Sequence, residues 1–327
     1  MDLKMLLEQS SDYPGFQIVK NPDNIEIRLE SKTDKGHLRL FSIGAGIQLS
    51  LVKIEASEWL NSPSTSRDQL LMNYCIKGRC EVELDNGTFT FVSGGELALS
   101  THPAKKSFIY PGGYYEGLEL FINMEEAAQH PPSVFDIPIL KMENLKKKYC
   151  MDGHPYVAVI AQNARAALDQ LTSLCEDGSL SMVRVKVLEF LLLLADLPID
   201  TGSISRTCYT GSQVRIARAA EALITENLTV HYSARELAGQ FQISETSLKN
   251  YFRGVYGQNY SSYQRDIRMK KAAQLLAETT ERIAMVAGQV GYENQSKFAA
   301  VFKKQFGMSP AQYRKSKNLD QALEKLQ

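Results

Sequence analysis

One pattern of residues occurs twice in the C-terminal part of this 327-residue chain, with the two copies about fifty positions apart. In the later copy, apolar residues at helical spacing lead to Gly291, and a second apolar stripe then runs to Gly307. Glycine permits a tight backbone turn and commonly ends a helix. The earlier copy, with one residue fewer in its turn, repeats this design at Ala238-Gly239-Gln240, Ile243, Leu248, Phe252 and Gly257. Repetition at a fixed spacing predicts two copies of one supersecondary unit.

Each copy predicts a short helix, a tight turn and a second helix, over residues 233–257 and 282–307. The outer face of the later second helix is polar and basic, with Asn294, Gln295, Ser296, Lys297, Lys303 and Lys304. Helix pairs of this kind place their second helix in the major groove of DNA. An ordinary helical bundle has the same amphipathic pattern, so periodicity alone leaves both interpretations open.

Polar residues predict where the helices of this region begin. Ser233 and Glu236 have the spacing of a capping box. Ser244 is placed to cap a helix from Glu245 to Tyr256, and Ser309 precedes a proline that suits the first helical position.

A long helix over residues 260–278 is predicted between the two copies. Its length of about twenty residues corresponds to a rise of roughly 30 Å, which is close to one turn of B-DNA at roughly 34 Å. Both second helices could therefore enter successive major grooves on one side of a duplex. If the spacer is too short, the DNA must bend, which costs a few kcal/mol.

The segment from Gly291 to Arg314 contains a glycine, an aromatic residue, a polar run, a phenylalanine, and then Phe-Gly-x-Ser-Pro-x-x-Tyr-Arg. This pattern resembles the signature of the AraC/XylS family of bacterial transcription regulators, over roughly the last hundred residues. The resemblance implies a DNA-binding domain with two helix-turn-helix units. It also implies double-stranded DNA and RNA polymerase as partners.

The resemblance further implies which side chains read bases. Carried over residue by residue, they are Thr246, Lys249 and Asn250 in the first unit, and Gln295, Ser296 and Lys297 in the second. Asn and Gln can pair with adenine, Lys can donate to guanine, and Ser or Thr is permissive. Ala300 stands where some relatives carry a long basic residue, so we expect the second helix to read fewer bases.

Candidate phosphate contacts lie beside these base-reading positions. They are the side chains of Arg253, Lys303 and Lys304 and the backbone amides at the Ser233 and Ser309 caps. For each lysine, a solvated surface position is the alternative interpretation.

The front part of the chain predicts many short strands. Alternating apolar and charged residues from Ile25 onward are interrupted by turn signals, of which Asn86-Gly87 is a strong hairpin signal. Short strands at regular spacing predict a small antiparallel barrel or sandwich. A cupin-like barrel is the usual front domain of the family named above. Its interior could hold a small-molecule effector, although no residue there identifies the ligand contacts.

The histidines and cysteines argue against an enzyme. The five histidines include no HxH pair and the five cysteines include no CxxC pair, so we predict no metal, no cofactor and no disulfide framework. Cys75 and Cys80 are an odd number of residues apart, so a regular strand would place them on opposite faces. An enzyme that uses a reactive cysteine and is fused to a DNA-binding tail is a remote alternative, because a reactive cysteine needs an electropositive or metal-bound setting.

Two helices are predicted in the middle of the chain, over residues 156–175 and 180–197. The second is apolar almost all round, so it must be buried. It could pack against the barrel of the same chain or form a dimer interface, and the family resemblance implies the latter. The polar segment 199–211 is predicted to be a linker.

The charge of the chain is unevenly distributed. Residues 1–211 carry 20 basic and 27 acidic side chains, whereas residues 212–327 carry 17 basic and 10 acidic ones. A basic C-terminal part suits a polyanion such as DNA. No segment is predicted to span a membrane, and no signal peptide is recognised, so we expect a soluble cytoplasmic protein.

We therefore predict an α+β multidomain chain with a cupin-like antiparallel β-barrel over residues 1–150, a helical dimerisation segment over 151–198, a linker over 199–211 and an all-α DNA-binding domain over 212–327. The predicted function is sequence-specific regulation of transcription, as a homodimer controlled by a small molecule. A regulator controlled by a protein partner instead is the alternative. The sequence does not identify the effector, the operator, or whether the protein acts as an activator or a repressor.

Overall fold

A computed structural model describes the chain at residues 16–31, 34–60, 68–84, 86–101, 107–131, 133–134, 137–138, 140–150, 155–177, 179–198 and 207–324. Its contacts divide it into two compact units, Met1–Gly211 and Ser212–Gln327. Each unit is described by itself below.

The first unit is built mainly from antiparallel strands. They are β1 Phe16–Lys20, β2 Ile25–Glu30, β3 Lys35–Gly44, β4 Ile47–Glu55, β5 Glu58–Leu60, β6 Gln69–Glu83, β7 Thr88–Ser93, β8 Glu96–Ser100, β9 Ser107–Ile109, β10 Tyr115–Asn123, β11 Ser133–Val134, β12 Ile137–Pro138, β13 Tyr156–Val159 and β14 Tyr209–Thr210. Its helices are α1 Met124–Gln129, α2 Met142–Tyr149, α3 Gln162–Asp177 and α4 Leu180–Asp196.

Most of these strands belong to one sheet. The order is β1-β2-β3-β4-β10-β6-β7-β14, with β8 also paired to β6 and β13 paired to β8. The prediction of an antiparallel, sheet-rich front region is confirmed. Within the described residues the strand order does not return to β1, so a closed barrel is not shown. The cupin-like architecture stays a prediction.

The hairpin between β6 and β7 forms where Asn86-Gly87 predicts it. Gly87 has a positive φ of 71°. Its amide donates to the Leu84 carbonyl at 3.0 Å, and the Leu84 amide donates to the Thr88 carbonyl at 2.8 Å. Glycine adopts such a turn conformation at little cost, which explains the local signal.

The two faces of the sheet carry separate cores. One face, called here the helix face, packs Leu49, Met72 and Leu120 against residues of α3 and α4 such as Leu171 and Phe190. The other face, called here the Trp59 face, carries a core whose members include Ile27, Val52, Trp59, Cys75, Tyr110 and Tyr115. Side chains alternate between the faces along each strand, so a buried strand such as β10 contributes to both.

The predicted helix from Tyr156 is wrong at its start. Residues Tyr156–Val159 form β13, which pairs antiparallel with β8 from Tyr156 opposite Leu99 to Val159 opposite Glu96. The segment Tyr-Val-Ala-Val is short and β-rich, so pairing with an available strand outweighs the helical pattern that follows it. Helix α3 begins only at Gln162.

Helix α4 is buried along one side against the helix face. Its buried residues are Val183, Val187, Phe190, Leu191 and Leu194. Met182 and Val185 are exposed by 50% and 60%. Packing within the chain therefore accounts for most of its apolar surface, and dimerisation through this helix stays a prediction.

The prediction that Cys75 and Cys80 lie on opposite faces is wrong. Opposite β10, the register of β6 passes from Lys77 paired with Glu116 to Cys75 paired with Gly117, so Ile76 is the extra residue of a β-bulge. The bulge reverses the alternation of the strand. Both cysteines therefore lie in the core of the Trp59 face.

The predicted linker is not free of structure throughout. Tyr209 and Thr210 form β14 and pair with Phe89 and Thr88 of β7. The rings of Tyr209 and Phe91 also lie 6.0 Å apart. Residues 199–206 of the predicted linker lie outside the described residues.

The second unit is helical. Its helices are α5 Gly211–Glu226, α6 Ala234–Gln240, α7 Glu245–Tyr256, α8 Tyr260–Glu278, α9 Ile283–Gln289, α10 Gln295–Phe306 and α11 Pro310–Glu324. Among the helices described in either unit, none has both the length and the apolar character needed to cross a membrane.

Two cores share the long helix α8. The first includes Leu237, Leu248 and Phe252 with Tyr263 at the start of α8. The second includes Phe298 and Phe302 with residues later in α8, such as Met269, Ala272 and Leu276. A single helix therefore supports two small helical units, as the sequence predicts.

Candidate nucleic-acid interface

The turns of the two helix pairs have matching geometry. The Ile243 amide donates to the Ala238 carbonyl at 3.1 Å, and the Tyr292 amide donates to the Ala287 carbonyl at 2.9 Å. The residue just before each donor has a positive φ, which is 53° at Gln242 and 79° at Gly291. The two copies therefore share one turn conformation, although only the second uses glycine for it.

The second helices of the two units, α7 and α10, are defined by the same kinds of cap. The Ser244 hydroxyl accepts from the Ser247 amide at 3.1 Å, and the Asn294 side-chain oxygen accepts from the Lys297 amide at 2.9 Å. Both helices have 12 residues and end at a left-handed glycine, Gly257 or Gly307, with φ of 74° and 75°. These caps fix both ends of each exposed helix.

Aromatic packing extends the repeat beyond the helix pairs. The rings of Phe252 and Tyr263 meet edge-on with centroids 5.4 Å apart, and those of Phe302 and Tyr313 do the same at 5.4 Å. Edge-to-face contacts of this kind add to the stabilisation from buried area. The start of α8 and the start of α11 are therefore equivalent parts of the two units, and each anchors the helix before it.

The predicted base-reading residues of the first unit are all exposed. Thr246, Lys249 and Asn250 lie on α7, whose buried face holds Leu248 and Phe252. The Lys249 ammonium lies 3.2 Å from the Glu245 carboxylate, one helical turn earlier. A pair of this kind on a surface contributes only about 0.3–0.5 kcal/mol, so it competes weakly with a DNA acceptor.

The predicted base-reading residues of the second helix-turn-helix unit are also exposed, but they are confined to a shorter part of their helix. Gln295, Ser296 and Lys297 all lie in the first turn of α10. When α7 and α10 are aligned by their caps, Ala299 and Ala300 stand where the first unit has Lys249 and Asn250. The second helix therefore offers fewer polar side chains beyond its first turn.

The predicted phosphate contacts differ in their availability. The side chains of Arg253, Lys303 and Lys304 are exposed. In contrast, the Ser233 amide already donates to the Glu236 carboxylate at 2.8 Å, and the Ser309 amide donates to the Gln312 side-chain oxygen at 3.0 Å.

The capping boxes therefore weigh against phosphate contacts through the two serine amides. At the first cap, hydrogen bonds from the Ser233 amide and then its hydroxyl hold the pKa of Glu236 below its usual value. The glutamate is therefore ionised there at neutral pH, and its negative charge would repel a phosphate. A phosphate could bind at either serine amide only if the capping box opened.

A buried polar junction between the two helix-turn-helix units was not predicted. Gln264 and Arg268 of α8 are exposed by only 2% and 4%. The side-chain nitrogen of Gln264 and the Arg268 guanidinium both donate to the Val230 carbonyl, at 2.9 Å each, and the side-chain oxygen of Gln264 lies 3.2 Å from Nδ1 of His231. Burial lowers the pKa of Arg268, an effect that neighbouring Tyr292 partly opposes. Arginine is basic enough to remain a cation there.

The periodicity of α8 contains a signal for this junction. Gln264, Arg268, Ala272 and Leu276 recur at a spacing of four residues, and the last two are plainly core residues. Residues four apart lie on the same face of a helix. Arg268 therefore belongs to the inward stripe, and it connects the loop after α5 to the turn at Gly291.

Comparison with known proteins identifies this part of the chain. A family model described as a helix-turn-helix domain matches residues 237–316. The HTH-type transcriptional activator RhaR of Yersinia pestis bv. Antiqua (strain Angola) is 26% identical over 168 residues, which cover 50% of this chain and 52% of RhaR. The last part of this chain therefore contains a helix-turn-helix domain of the AraC type, as the resemblance implies.

Other members and related structures show how far the likeness extends. RhaR of Yersinia pseudotuberculosis serotype O:1b (strain IP 31758) is 33% identical over 104 residues, which cover 32% of this chain and 35% of RhaR. The chain spans about half the length of the first of these relatives and about a third of the second.

Two solved structures are also similar to part of this chain. One is the C-terminal domain of AraT, a response regulator from Geobacillus stearothermophilus, with 32% identity over 31% of this chain and 84% of that one, at a TM-score of 0.30. The other is the DNA-binding domain of AdpA in complex with a target DNA, with 25% identity over 31% of this chain and 90% of that one, at a TM-score of 0.30.

Proposed function

We propose that this chain is a sequence-specific DNA-binding regulator of transcription. The observation that carries the proposal is the duplicated helix-turn-helix geometry, in which α7 and α10 each bury one face and expose a polar face. The helix-turn-helix identity of the family supports DNA as the partner. Each exposed face would enter the major groove, where base edges can be distinguished.

In this proposal the six exposed polar residues divide the reading of bases between the two units. Asn250 and Gln295 would pair with adenine, and Lys249 and Lys297 would donate to guanine. Thr246 and Ser296 would make less discriminating contacts. The exposed Arg253, Lys303 and Lys304 would bind phosphates and set the register of the protein on the duplex.

The spacing of the two units supports contact with successive grooves. Helix α8 has 19 residues, which corresponds to a rise of about 28 Å. One turn of B-DNA is roughly 34 Å. The shortfall of a few ångströms would be met by bending the DNA, at a cost of a few kcal/mol.

Selection of bound duplexes from a random library by the full chain tests the proposal. We expect one enriched sequence with two conserved blocks about one helical turn apart, bound at least a hundredfold more tightly than a scrambled duplex at the same salt concentration. The Gln295→Ala variant should lose discrimination within one block. Gln305→Ala is the matched control, because Gln305 is an exposed glutamine at the other end of α10. If no sequence is preferred over random competitor, the proposal is wrong.

The sheet-rich front unit, Met1–Gly211, would regulate this activity in the cytoplasm. A small molecule that binds it with different affinities in two arrangements of the protein would shift how the chain engages DNA. We also propose a homodimer and contact with RNA polymerase, and the activator named among the relatives favours activation. A regulator controlled by a protein partner is the alternative. If no small molecule changed DNA binding or transcription, but transcription were still regulated, that alternative would be supported.

The cysteines do not favour an enzyme. Burial raises the pKa of Cys75 to about 12 and that of Cys80 well above its usual value, and nearby carboxylates such as Glu96 and Glu119 add to the effect. A reactive cysteine needs the thiolate form at neutral pH. These two thiols stay protonated, which supports a structural role in the core.

A further inference from the structure

Three polar side chains form a row across the middle of the sheet. Glu119 of β10 lies opposite Ser50 of β4 on one side and opposite Asn73 of β6 on the other. All three belong to the Trp59 face, because they alternate with residues of the helix face such as Leu49, Met72 and Leu118. Their exposures are 4%, 0% and 4% for Glu119, Ser50 and Asn73.

Two atoms of this row lack hydrogen-bond partners. Asn73 is satisfied, since its side-chain oxygen accepts from the Tyr115 hydroxyl at 2.8 Å. The Ser50 Oγ and one carboxyl oxygen of Glu119 (Oε1) have no partner within the part of the chain that the structure describes. Buried polar atoms are normally paired, and an unpaired one calls for a bound group or a water. Because Ser50 and Glu119 are cross-strand neighbours, one bound group could pair with both atoms.

The carboxyl group of Glu119 also lacks a countercharge. Burial raises its pKa to about 7, the nearby Tyr115 hydroxyl partly offsets the rise, and no arginine, lysine or histidine is among the causes. The titratable groups that sense its charge are Cys75, Cys80, Tyr110 and Tyr115, and burial raises the pKa of each. These four groups are therefore neutral at pH 7, and none can balance a negative charge on Glu119.

The row lies close to a more open edge of the Trp59 face. Two residues further along the three strands are Gln48, Phe121 and Leu71, and all three are partly exposed. Two residues in the opposite direction are Val52, Gly117 and Cys75, and all three are buried. A step of two residues is about 7 Å along a strand. The row therefore lies one such step from a more exposed part of the sheet.

We propose that this row binds the ammonium group of a small amine, which donates to the Glu119 carboxylate and to Ser50 Oγ. The proposal rests on the proposed function, because the amine would be the effector of the regulator. A cation satisfies both unpaired acceptors and also supplies the missing countercharge, whereas a neutral alcohol supplies only hydrogen bonds. The stacked rings of Tyr110 and Tyr115, 4.6 Å apart, offer aromatic surface beside the carboxyl group that also suits a cation.

Thermal unfolding of the full chain tests the proposal with defined probes. Methylamine, ethanolamine and putrescine hydrochlorides are compared with methanol, ethylene glycol and butanediol, with sodium chloride added to equalise ionic strength. We expect a saturable rise in the midpoint of front-unit unfolding with at least one amine and none with the alcohols. The amine affinity should increase as the pH rises through about 7, because ionised Glu119 binds the cation.

Two variants separate a binding site from a structural feature. Glu119→Gln should weaken the amine response at least tenfold, while Glu55→Gln, which changes an exposed glutamate on neighbouring β4, should leave it unchanged. Ser50→Ala should weaken it severalfold. If the row is only structural, Ser50→Ala raises the unfolding midpoint and leaves any amine response intact. Circular dichroism checks that each variant folds.

Three results would overturn the proposal: no saturable response to any of the amines, equal responses to the alcohols, or an undiminished response in Glu119→Gln. The affinity of the same preparations for the selected DNA duplex is measured in parallel. Absence of a preferred DNA sequence would instead overturn the proposed function, so the two failures are distinguishable.

Discussion

The first helix-turn-helix unit turns through Gln242, whereas the second turns through Gly291, with φ values of 53° and 79°. The conformation is common to both units, but the surroundings differ. A Cβ on Gly291 would lie 2.8 Å from the Leu228 carbonyl oxygen and 3.1 Å from the Arg268 guanidinium carbon. The shared fold therefore demands the left-handed turn, and packing across the junction demands glycine in the second copy.

The two units also differ in their caps and in their outer faces. The first short helix, α6, is preceded by the capping box of Ser233 with Glu236, whereas the N-cap residue of α9, Arg282, makes no side-chain cap hydrogen bond. Helix α7 presents Lys249 and Asn250 where α10 has alanines. We infer that the first helix-turn-helix unit reads more bases. The stability of the second helix-turn-helix unit depends more on its junction with α8.

The largest expected effect comes from removing an aromatic anchor. Phe302→Ala should cost roughly 3–5 kcal/mol of unfolding free energy, because it leaves a cavity in a core where Phe302 is fully buried. Since Phe252 lies in a separate core, hydrogen exchange should accelerate in α10 well before α7. Phe252→Ala should give the reverse order. Equal loosening of both helices by either change would show that the two cores unfold as one.

A substitution at the glycine turn should have the next largest effect. Gly291→Ala should destabilise the second unit by roughly 2–4 kcal/mol, through the positive φ and the close Leu228 carbonyl. Denaturant unfolding measures the change. Gly288→Ala is the matched control, because an added Cβ there meets open space in a helix and should be neutral or stabilising by up to about 1 kcal/mol. Similar losses in both variants would contradict the packing argument.

Measurements of DNA binding should show that the exposed faces of α7 and α10 contribute unequally. Asn250→Ala should weaken binding to the selected duplex by about 1–3 kcal/mol and relax the preference at one base pair. Asn318→Ala, an exposed asparagine on α11, serves as the control. The comparison is sharpened by Gln295→Ala, which should relax the preference at no more than one base pair, in the other block. If Gln295→Ala relaxed more positions than Asn250→Ala, our assignment of the larger share to the first unit would be wrong.

The smallest effect should come from the caps. Ser233→Ala should cost about 1 kcal/mol of stability, because it removes the hydroxyl that caps α6. Arg282→Ala, at the equivalent position of α9, should change stability far less. Since the pKa of Glu236 is lowered in the folded state, its contribution is present at neutral pH and is lost as the pH falls through that pKa. Thermal unfolding at two pH values measures both differences.

The parts of the fold that could be predicted from sequence are those specified by neighbouring residues. Helices Glu245–Tyr256 and Tyr260–Glu278 have the predicted bounds, because each is set by a cap and a local apolar stripe. The Asn86-Gly87 hairpin is local in the same sense. These features need no knowledge of distant parts of the chain.

The features that were missed depend on distant partners. Strand β13 exists because Tyr156–Val159 pairs with β8, nearly sixty residues earlier. The bulge at Ile76 is visible only through the register with β10. Burial of Arg268 depends on the Val230 carbonyl. For the candidate interface, sequence identified exposed positions on α7 and α10, but not that capping boxes occupy the Ser233 and Ser309 amides.

The single helix α8, which carries both cores, also restricts the DNA that such a domain can use. Each base pair added between the two recognised blocks would turn one block by about 35° around the duplex axis relative to the other. Two DNA-binding units joined by a flexible linker could follow that rotation, but two units joined by a continuous helix that is packed at both ends cannot. If the proposed function holds, the selected duplexes should keep one fixed number of base pairs between the blocks, even where the bases themselves vary.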